Sequence, residues 1–186
     1  MRIAVSGAHG SGKSTLIEDF LRAHPDYAHE PEPYEWLAEL YNEPMPAMPG
    51  AEDFYRQLEI SVERLATYER GACVIVERSP IDFLAYIRAL KDDDLETESL
   101  ALVETGMRHV DLLVVLPIDD SLTVPDEEDP ELREAMNDRL LELIPGCSGD
   151  ARAVEVAGTR QQRLSAVTDA MLTFGHGDRL APRADC

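Results

Sequence analysis

The residues richest in chemistry come near the start: Gly7-Ala8-His9-Gly10-Ser11-Gly12-Lys13-Ser14-Thr15. Gly7, Gly12, Lys13 and Ser14 stand at the fixed positions of G-x-x-x-x-G-K-[ST], a spacing that cradles phosphate. The glycines let the backbone curl with successive N–H groups inward, and a helix N-terminus behind them adds partial positive charge. Lys13 then reaches the β- and γ-phosphates and the Ser14 hydroxyl holds Mg²⁺. His9, Gly10, Ser11 and Thr15 complete the cradle. A chance glycine-rich turn is the competing account, expected in roughly one chain in a hundred or fewer at an average usage of about 7% Gly.

Two carboxylates are the next candidates. Glu77-Arg78-Ser79 follows an apolar run, and a carboxylate at the end of a buried strand beside the phosphate loop is placed to hold Mg²⁺. The bland alternative is a surface pair with Arg78. Glu32 follows a shorter strand-like stretch, where a carboxylate near the γ-phosphate can take the proton of an attacking hydroxyl. Spacing alone leaves it equally readable as an acidic loop residue, since Glu30 and Glu35 are close by.

These positions make sense only if strands and helices bring them to one edge. Residues 2–6 read as a buried strand, and Leu16, Ile17, Phe20 and Leu21 recur at helical spacing to about residue 23, where His24-Pro25 ends the helix. A short strand over 27–30 and a helix over 34–42 follow. Residues 43–50 carry three prolines and cannot be regular. A helix from about residue 52 has Phe54, Leu58, Val62 and Leu65 on one stripe, and Gly71 stops it. Residues 73–76 and 112–116 are continuous apolar runs, as for strands covered on both faces, with Cys73 read as a small core residue. Two helices fill 80–109, broken at Lys91-Asp92-Asp93-Asp94. After an acidic segment, Asp129-Pro130 signals a helix start and Pro145-Gly146 its end. A fifth strand is expected over 153–156 and a last helix over 161–174.

Strands alternating with helices predict an α/β fold, a three-layer P-loop NTPase architecture with a five-stranded parallel sheet. Ligands then gather at the carboxyl ends of the strands, just after Val5, Glu30, Val76 and Leu116. The expected organisation is a single domain over 1–175, with a lid segment at about 117–132 and a loose tail over 176–186.

With these residues in order, the chain resembles the deoxynucleoside kinases and related small-molecule P-loop kinases. Pro31-Glu32-Pro33 with Trp36 behind it, and Glu77-Arg78-Ser79, look like that family's landmarks. The phosphate loop and the Glu-Arg-Ser-Pro-Ile-Asp run also resemble bacterial ATP-binding domains similar to nicotinamide riboside kinases. The resemblance implies a nucleoside/nucleotide-kinase-like fold, ATP and Mg²⁺ as cofactors, and a small-molecule acceptor. It implies that Glu32 is the base, that Arg78 lies near the acceptor hydroxyl and that Glu77 serves the metal. It further implies that Trp36, Gln57 and Arg64 belong to the substrate side; Gln57 and Arg64, seven residues apart, face one way on a helix. The aspartate that helps read the base in that family is one place out of step here, as Asp82. Such kinases also clamp the transferring phosphate with arginines after the fourth strand, whereas residues 116–132 contain neither arginine nor lysine. Arg133 is the nearest candidate, and Arg139, about 240° further round a regular helix, cannot converge with it. Arg160 and Arg163 follow the fifth strand, where such kinases meet adenine, with Arg160 the one expected to stack. Tyr34, Met45, Met48, Tyr55 and Tyr86 are further candidates for the acceptor pocket, or ordinary core residues.

Composition narrows the classes. A formal charge of −20, with Lys13 and Lys91 the only lysines, repels polyanions and lacks the basic stripe of a nucleic-acid binder. No apolar run approaches the ~20 residues of a membrane span. A strand beginning at residue 2 leaves no room for a leader, and three widely spaced cysteines form neither a metal pattern nor a disulfide framework, so a reducing cytoplasm is expected. A homodimer is left open. No [NT]-K-x-D guanine reader is present, and no long helical bundle follows to make an AAA lid domain. A regulatory ATPase switch without an acceptor is the reading that competes with the kinase. Self-repulsion at this charge is relieved by screening, so the melting temperature should rise between low and moderate KCl. A flat response would mean that the acidic groups are already compensated.

Overall fold

The computed structural model describes residues 1–119 and 129–177. The central part of the expected lid and the end of the expected tail lie outside these residues. The elements run β1 (Arg2–Ser6), α1 (Lys13–Ala23), β2 (Ala28–Glu30), α2 (Pro33–Leu40), α3 (Ala51–Ala66), β3 (Val74–Glu77), α4 (Pro80–Ala89), α5 (Asp93–Met107), β4 (Leu112–Val115), α6 (Pro130–Cys147), β5 (Arg152–Glu155) and α7 (Arg160–Gly177).

The five strands form one parallel sheet in the order β2-β3-β1-β4-β5. Side chains alternate across it. Ile3 and Val5 of β1, Ile75 of β3, and Leu112 and Val114 of β4 pack with Leu16, Ile17 and Phe20 of α1 and Val167 and Ala170 of α7. Ala4, Val74, Val76, Leu113 and Val115 face the other way, onto α3, α4, α5 and α6. The sheet is therefore the middle of three layers, and its central strands must be apolar on both faces. Val5 pairs in register with Glu77 and with Val114, which aligns the carboxyl ends of β3, β1 and β4. That alignment brings the phosphate loop and Glu77 together.

The helix starts are set locally. Ser79 caps α4 by accepting from Ile81 N at 3.2 Å, with Pro80 at the first helical position. Asp129 caps α6 in the same way, accepting from Glu131 and Leu132. Asp92 caps α5. Residues 41–50 form neither helix nor strand, as their prolines require.

Two expectations are corrected. Cys73 is exposed, because β3 begins one residue later and the cysteine gives the sheet only its carbonyl, which accepts from Ala28. Helix α6 passes through Pro145 to Cys147. A proline there removes only its own bond to the Leu141 carbonyl, on a partly exposed turn that water can serve, and Ser148 N still closes on Ile144 O at 3.1 Å.

Candidate functional site

The loop after β1 turns because its first position has no room for a side chain. A Cβ on Gly7 would lie 2.5 Å from the Leu116 carbonyl oxygen and 2.7 Å from Ser11 Oγ. Gly12, at φ 93°, forms the left-handed step into α1. Four loop carbonyls are each held by a cation from a different element. Arg78, after β3, donates to Gly7 O (3.3 Å) and Lys13 to Ala8 O (3.1 Å). Arg133 of α6 donates to His9 O and Arg163 of α7 to Ser11 O, both at 2.9 Å. A trans peptide sets the following N–H opposite each carbonyl, so those N–H ends are left clear of the cations. An anion is the natural occupant of such a loop.

Lys13 is 4% exposed. Burial and then the neighbouring Arg78 lower its pKa from 10.5 to about 8, against the opposing pull of Glu32, Asp82 and Glu77. The consequence has two signs. Between about 8 and 10.5 the unfolded chain holds more protons than the folded one, so this group makes the ligand-free protein more stable as pH rises through that window. A polyanionic ligand needs the ammonium, so its affinity should fall as pH rises above about 8. Titrations of ATP affinity and of melting temperature from pH 7 to 10 check this, and an affinity flat across the range would mean that Lys13 stays charged throughout.

Ser14 Oγ donates to Glu77 Oε1 at 2.8 Å. Burial, then the Glu32 carboxylate, hold Glu77 above the ordinary carboxylate range. A hydroxyl and a carboxylate side by side suit a hard, oxygen-seeking cation such as Mg²⁺, which would also relieve that repulsion. Among the described residues no cluster of three or more His, Cys, Asp and Glu could hold a metal unaided. An ion here would complete its shell from phosphate and water.

Glu32 is the N-cap residue of α2 and accepts from Arg78 Nε at 2.7 Å. Burial pushes its carboxyl up, but the charges of Arg78 and Lys13 outweigh that and hold it below the ordinary range. Arg78 is 6% exposed and sits in the left-handed region at φ 69°, a conformation costing on the order of 1–3 kcal/mol in a non-glycine residue. Its bonds to Glu32 and Gly7 O, and its own N–H to Val5 O at 3.0 Å, hold it there.

Two cavities flank the loop. One, of about 500 Å³, brings together His9, Glu32, Gln57, Arg78 and Arg133. Its apolar walls include Tyr34, Met45, Met48, and the rings of Phe54 and Tyr86, stacked with centroids 4.1 Å apart. Gln57 is buried there and donates to Met45 Sδ at 3.3 Å. The other cavity, of about 620 Å³, is lined by Gly12, Thr15, Asp119, Thr159, Arg160 and Arg163.

Four expected residues stand elsewhere or otherwise engaged, and Tyr55 lies outside the lining of the first cavity. Asp82, fully buried, accepts from Ser6 Oγ (2.6 Å), Gly7 N (3.0 Å) and Ser79 N (2.9 Å), so it props the loop from beneath instead of facing a cavity. Arg64 is tied to Glu30 through Nε (2.7 Å) and Nη2 (3.1 Å) and lies over the Trp36 ring at 4.2 Å. Both it and Trp36 are therefore outside the larger cavities. Arg160, although it borders the second cavity, is largely exposed and paired with Asp19 of α1 through two bonds. Its neighbour Arg163 is the buried one, joined to Ser11 O, Gly158 O and Asp119 Oδ2. Arg133 reaches the loop and Arg139 pairs with Glu142, as the helical angle between them requires.

Residues 2–163 match the family described as an AAA domain. No curated protein matches the chain. Among solved structures, a NadR protein in complex with NAD and AMP-PNP is similar at a TM-score of 0.64 and 18% identity, over 90% of this chain and 48% of that one. A deoxyadenosine kinase from M. mycoides with bound dATP gives a TM-score of 0.63 at 16% identity, over 92% and 99% of the two chains. A thymidylate kinase from Candida albicans gives 0.65 at 16%, over 92% and 91%. The chain thus spans about half the length of the NadR proteins it matches. At these identities the likeness shows the fold alone. Among the described residues only α7 follows the last strand, so the core is not extended by a helical bundle. The chain belongs to the AAA domain family and carries that domain on the three-layer P-loop fold seen in nucleoside and nucleotide kinases.

Proposed function

We propose that the chain is an ATP- and Mg²⁺-dependent kinase that transfers the γ-phosphoryl group to a hydroxyl of a nucleoside or nucleoside-like metabolite. One observation carries the reading: cavities open on both sides of the phosphate loop, and the first presents a buried carboxylate, Glu32, beside Arg78. A nucleotide switch needs only one of them. The NadR and deoxyadenosine kinase structures hold AMP-PNP and dATP, which supports an adenine nucleotide as donor.

In this reading the base occupies the cavity beside Arg163 and Thr159, and the triphosphate crosses the loop to Lys13. Mg²⁺, held by Ser14 and Glu77, would neutralise developing phosphate charge. Arg133, reaching the loop from α6, is the group placed to clamp the transferring phosphoryl. Glu32 receives the acceptor proton. Arg78 holds the carboxylate ionised and aimed, and Gln57 offers a buried amide to the acceptor. Phosphoryl transfer asks mainly for positioning and charge neutralisation, which suits a base kept weak by its own ion pair.

A regulatory switch without an acceptor is the second reading, favoured by the absence of any basic residue over 116–132. ADP release with and without a panel of nucleosides and small alcohols separates the two. Acceptor-dependent release is the expected result, whereas slow release indifferent to every acceptor supports the switch.

A further inference from the structure

We infer that the acceptor carries no anionic group: the first cavity takes a nucleoside or other uncharged alcohol and rejects its phosphate monoester. This rests on the kinase reading and follows from an account of the cations. The cavity has two, Arg78 and Arg133. Arg78 is buried and spent on Glu32 (2.7 Å), Gly7 O (3.3 Å) and the nearby Asp82 (3.8 Å). Arg133 bonds His9 O on the loop, where its remaining donors meet the nucleotide. Lys13 is committed to the same phosphates. Arg64, the other arginine expected on this side, is turned away to Glu30.

Against these stand the carboxylates of Glu32 and Asp129 on the cavity itself, with Glu77 behind. The other polar anchor, Gln57, is neutral, and the walls are apolar. Residues 120–128 bring Asp120, Asp126, Glu127 and Glu128 in sequence and no base. A phosphate monoester carries a charge of about −1.5 to −2 at neutral pH. Nothing among the described cavity residues is left to pair with it, and like charges brought together discriminate strongly between ligands.

The test measures ADP release at saturating ATP and Mg²⁺ for matched pairs, each a nucleoside or sugar and its phosphate monoester. The uncharged member should exceed its monoester in kcat/KM by at least about a hundredfold. The gap should narrow as KCl is raised, because screening weakens like-charge repulsion. It should also narrow in Asp129→Asn, which keeps an N-cap for α6 while removing one cavity charge. A monoester that matches or beats its parent overturns the inference and leaves the kinase reading standing. A gap that neither salt nor Asp129→Asn narrows means that shape, not charge, excludes the phosphate, and also overturns it. ADP release indifferent to every compound overturns the kinase reading and this inference together.

Discussion

Lys13→Ala is expected to lower acceptor-dependent turnover by at least about 10²–10³-fold, the scale for removing one preorganised charge-stabilising donor. The nearest substitute is poor. Lys91, the only other lysine, lies beyond α4, Arg78 is committed to Glu32, and Arg133 approaches the loop from outside at His9 O. Stability should move independently of activity. The ammonium sits in a buried site beside another cation, which is why its pKa is lowered to about 8. Removing it relieves that cost, although Ala also leaves a cavity where the lysine stem packed. Lys13→Met keeps most of the stem and should therefore be as inactive as Lys13→Ala with an unchanged or raised melting temperature in the absence of nucleotide. ADP release and thermal melts on both variants check this. Wild-type turnover in either would remove the phosphate-loop assignment.

Legibility in the sequence followed the range of the interactions. The phosphate loop is a contiguous motif, and Glu77 falls beside it because two apolar runs, residues 3–5 and 74–76, pair in parallel register. Both features are local or nearly so. The position of Asp82 was also locally readable: Ser79-Pro80-Ile81-Asp82 has the spacing of a capping box, with the third helical residue reaching back to Ser79 N. Family resemblance drew attention to substrate instead. Arg64 is a different case. Its partner Glu30 is 34 residues away on another element, and no periodicity in α3 reveals that contact. Arg160 and Arg163 lie on one face of α7, three residues apart, and which of them is buried depends on how α7 docks on α1. The strand order β2-β3-β1-β4-β5 is likewise a tertiary outcome that alternating elements permit without specifying.

Glu32→Gln separates the kinase from the switch, and the structure adds a control. With an acceptor to be deprotonated, loss of a positioned base lowers kcat by about 10²–10⁴-fold, roughly 3–5 kcal/mol of barrier. Affinity for ATP should change little, since Lys13, Ser14 and Arg163 remain. Glu32 is also half of a buried ion pair, and removing one partner leaves the Arg78 charge uncompensated, so the melting temperature should fall. A loss of activity might then be blamed on a disordered Arg78, and Glu77→Gln answers that objection. Glu77 is held above its ordinary pKa by burial and by Glu32, so neutralising it removes a repulsion and should leave the ligand-free protein as stable as before or more so. Its defect should appear as a higher Mg²⁺ requirement. The two variants thus move stability in opposite directions and differ in Mg²⁺ dependence. Under the switch reading Glu32→Gln alters acceptor-independent ADP release little, because no hydroxyl has to lose its proton. Turnover across a Mg²⁺ titration, measured below the melting temperature of each variant with the best acceptor found, decides the matter. If folded Glu32→Gln keeps most of the acceptor-dependent rate, Glu32 only anchors Arg78, and the base has to be sought elsewhere in the first cavity.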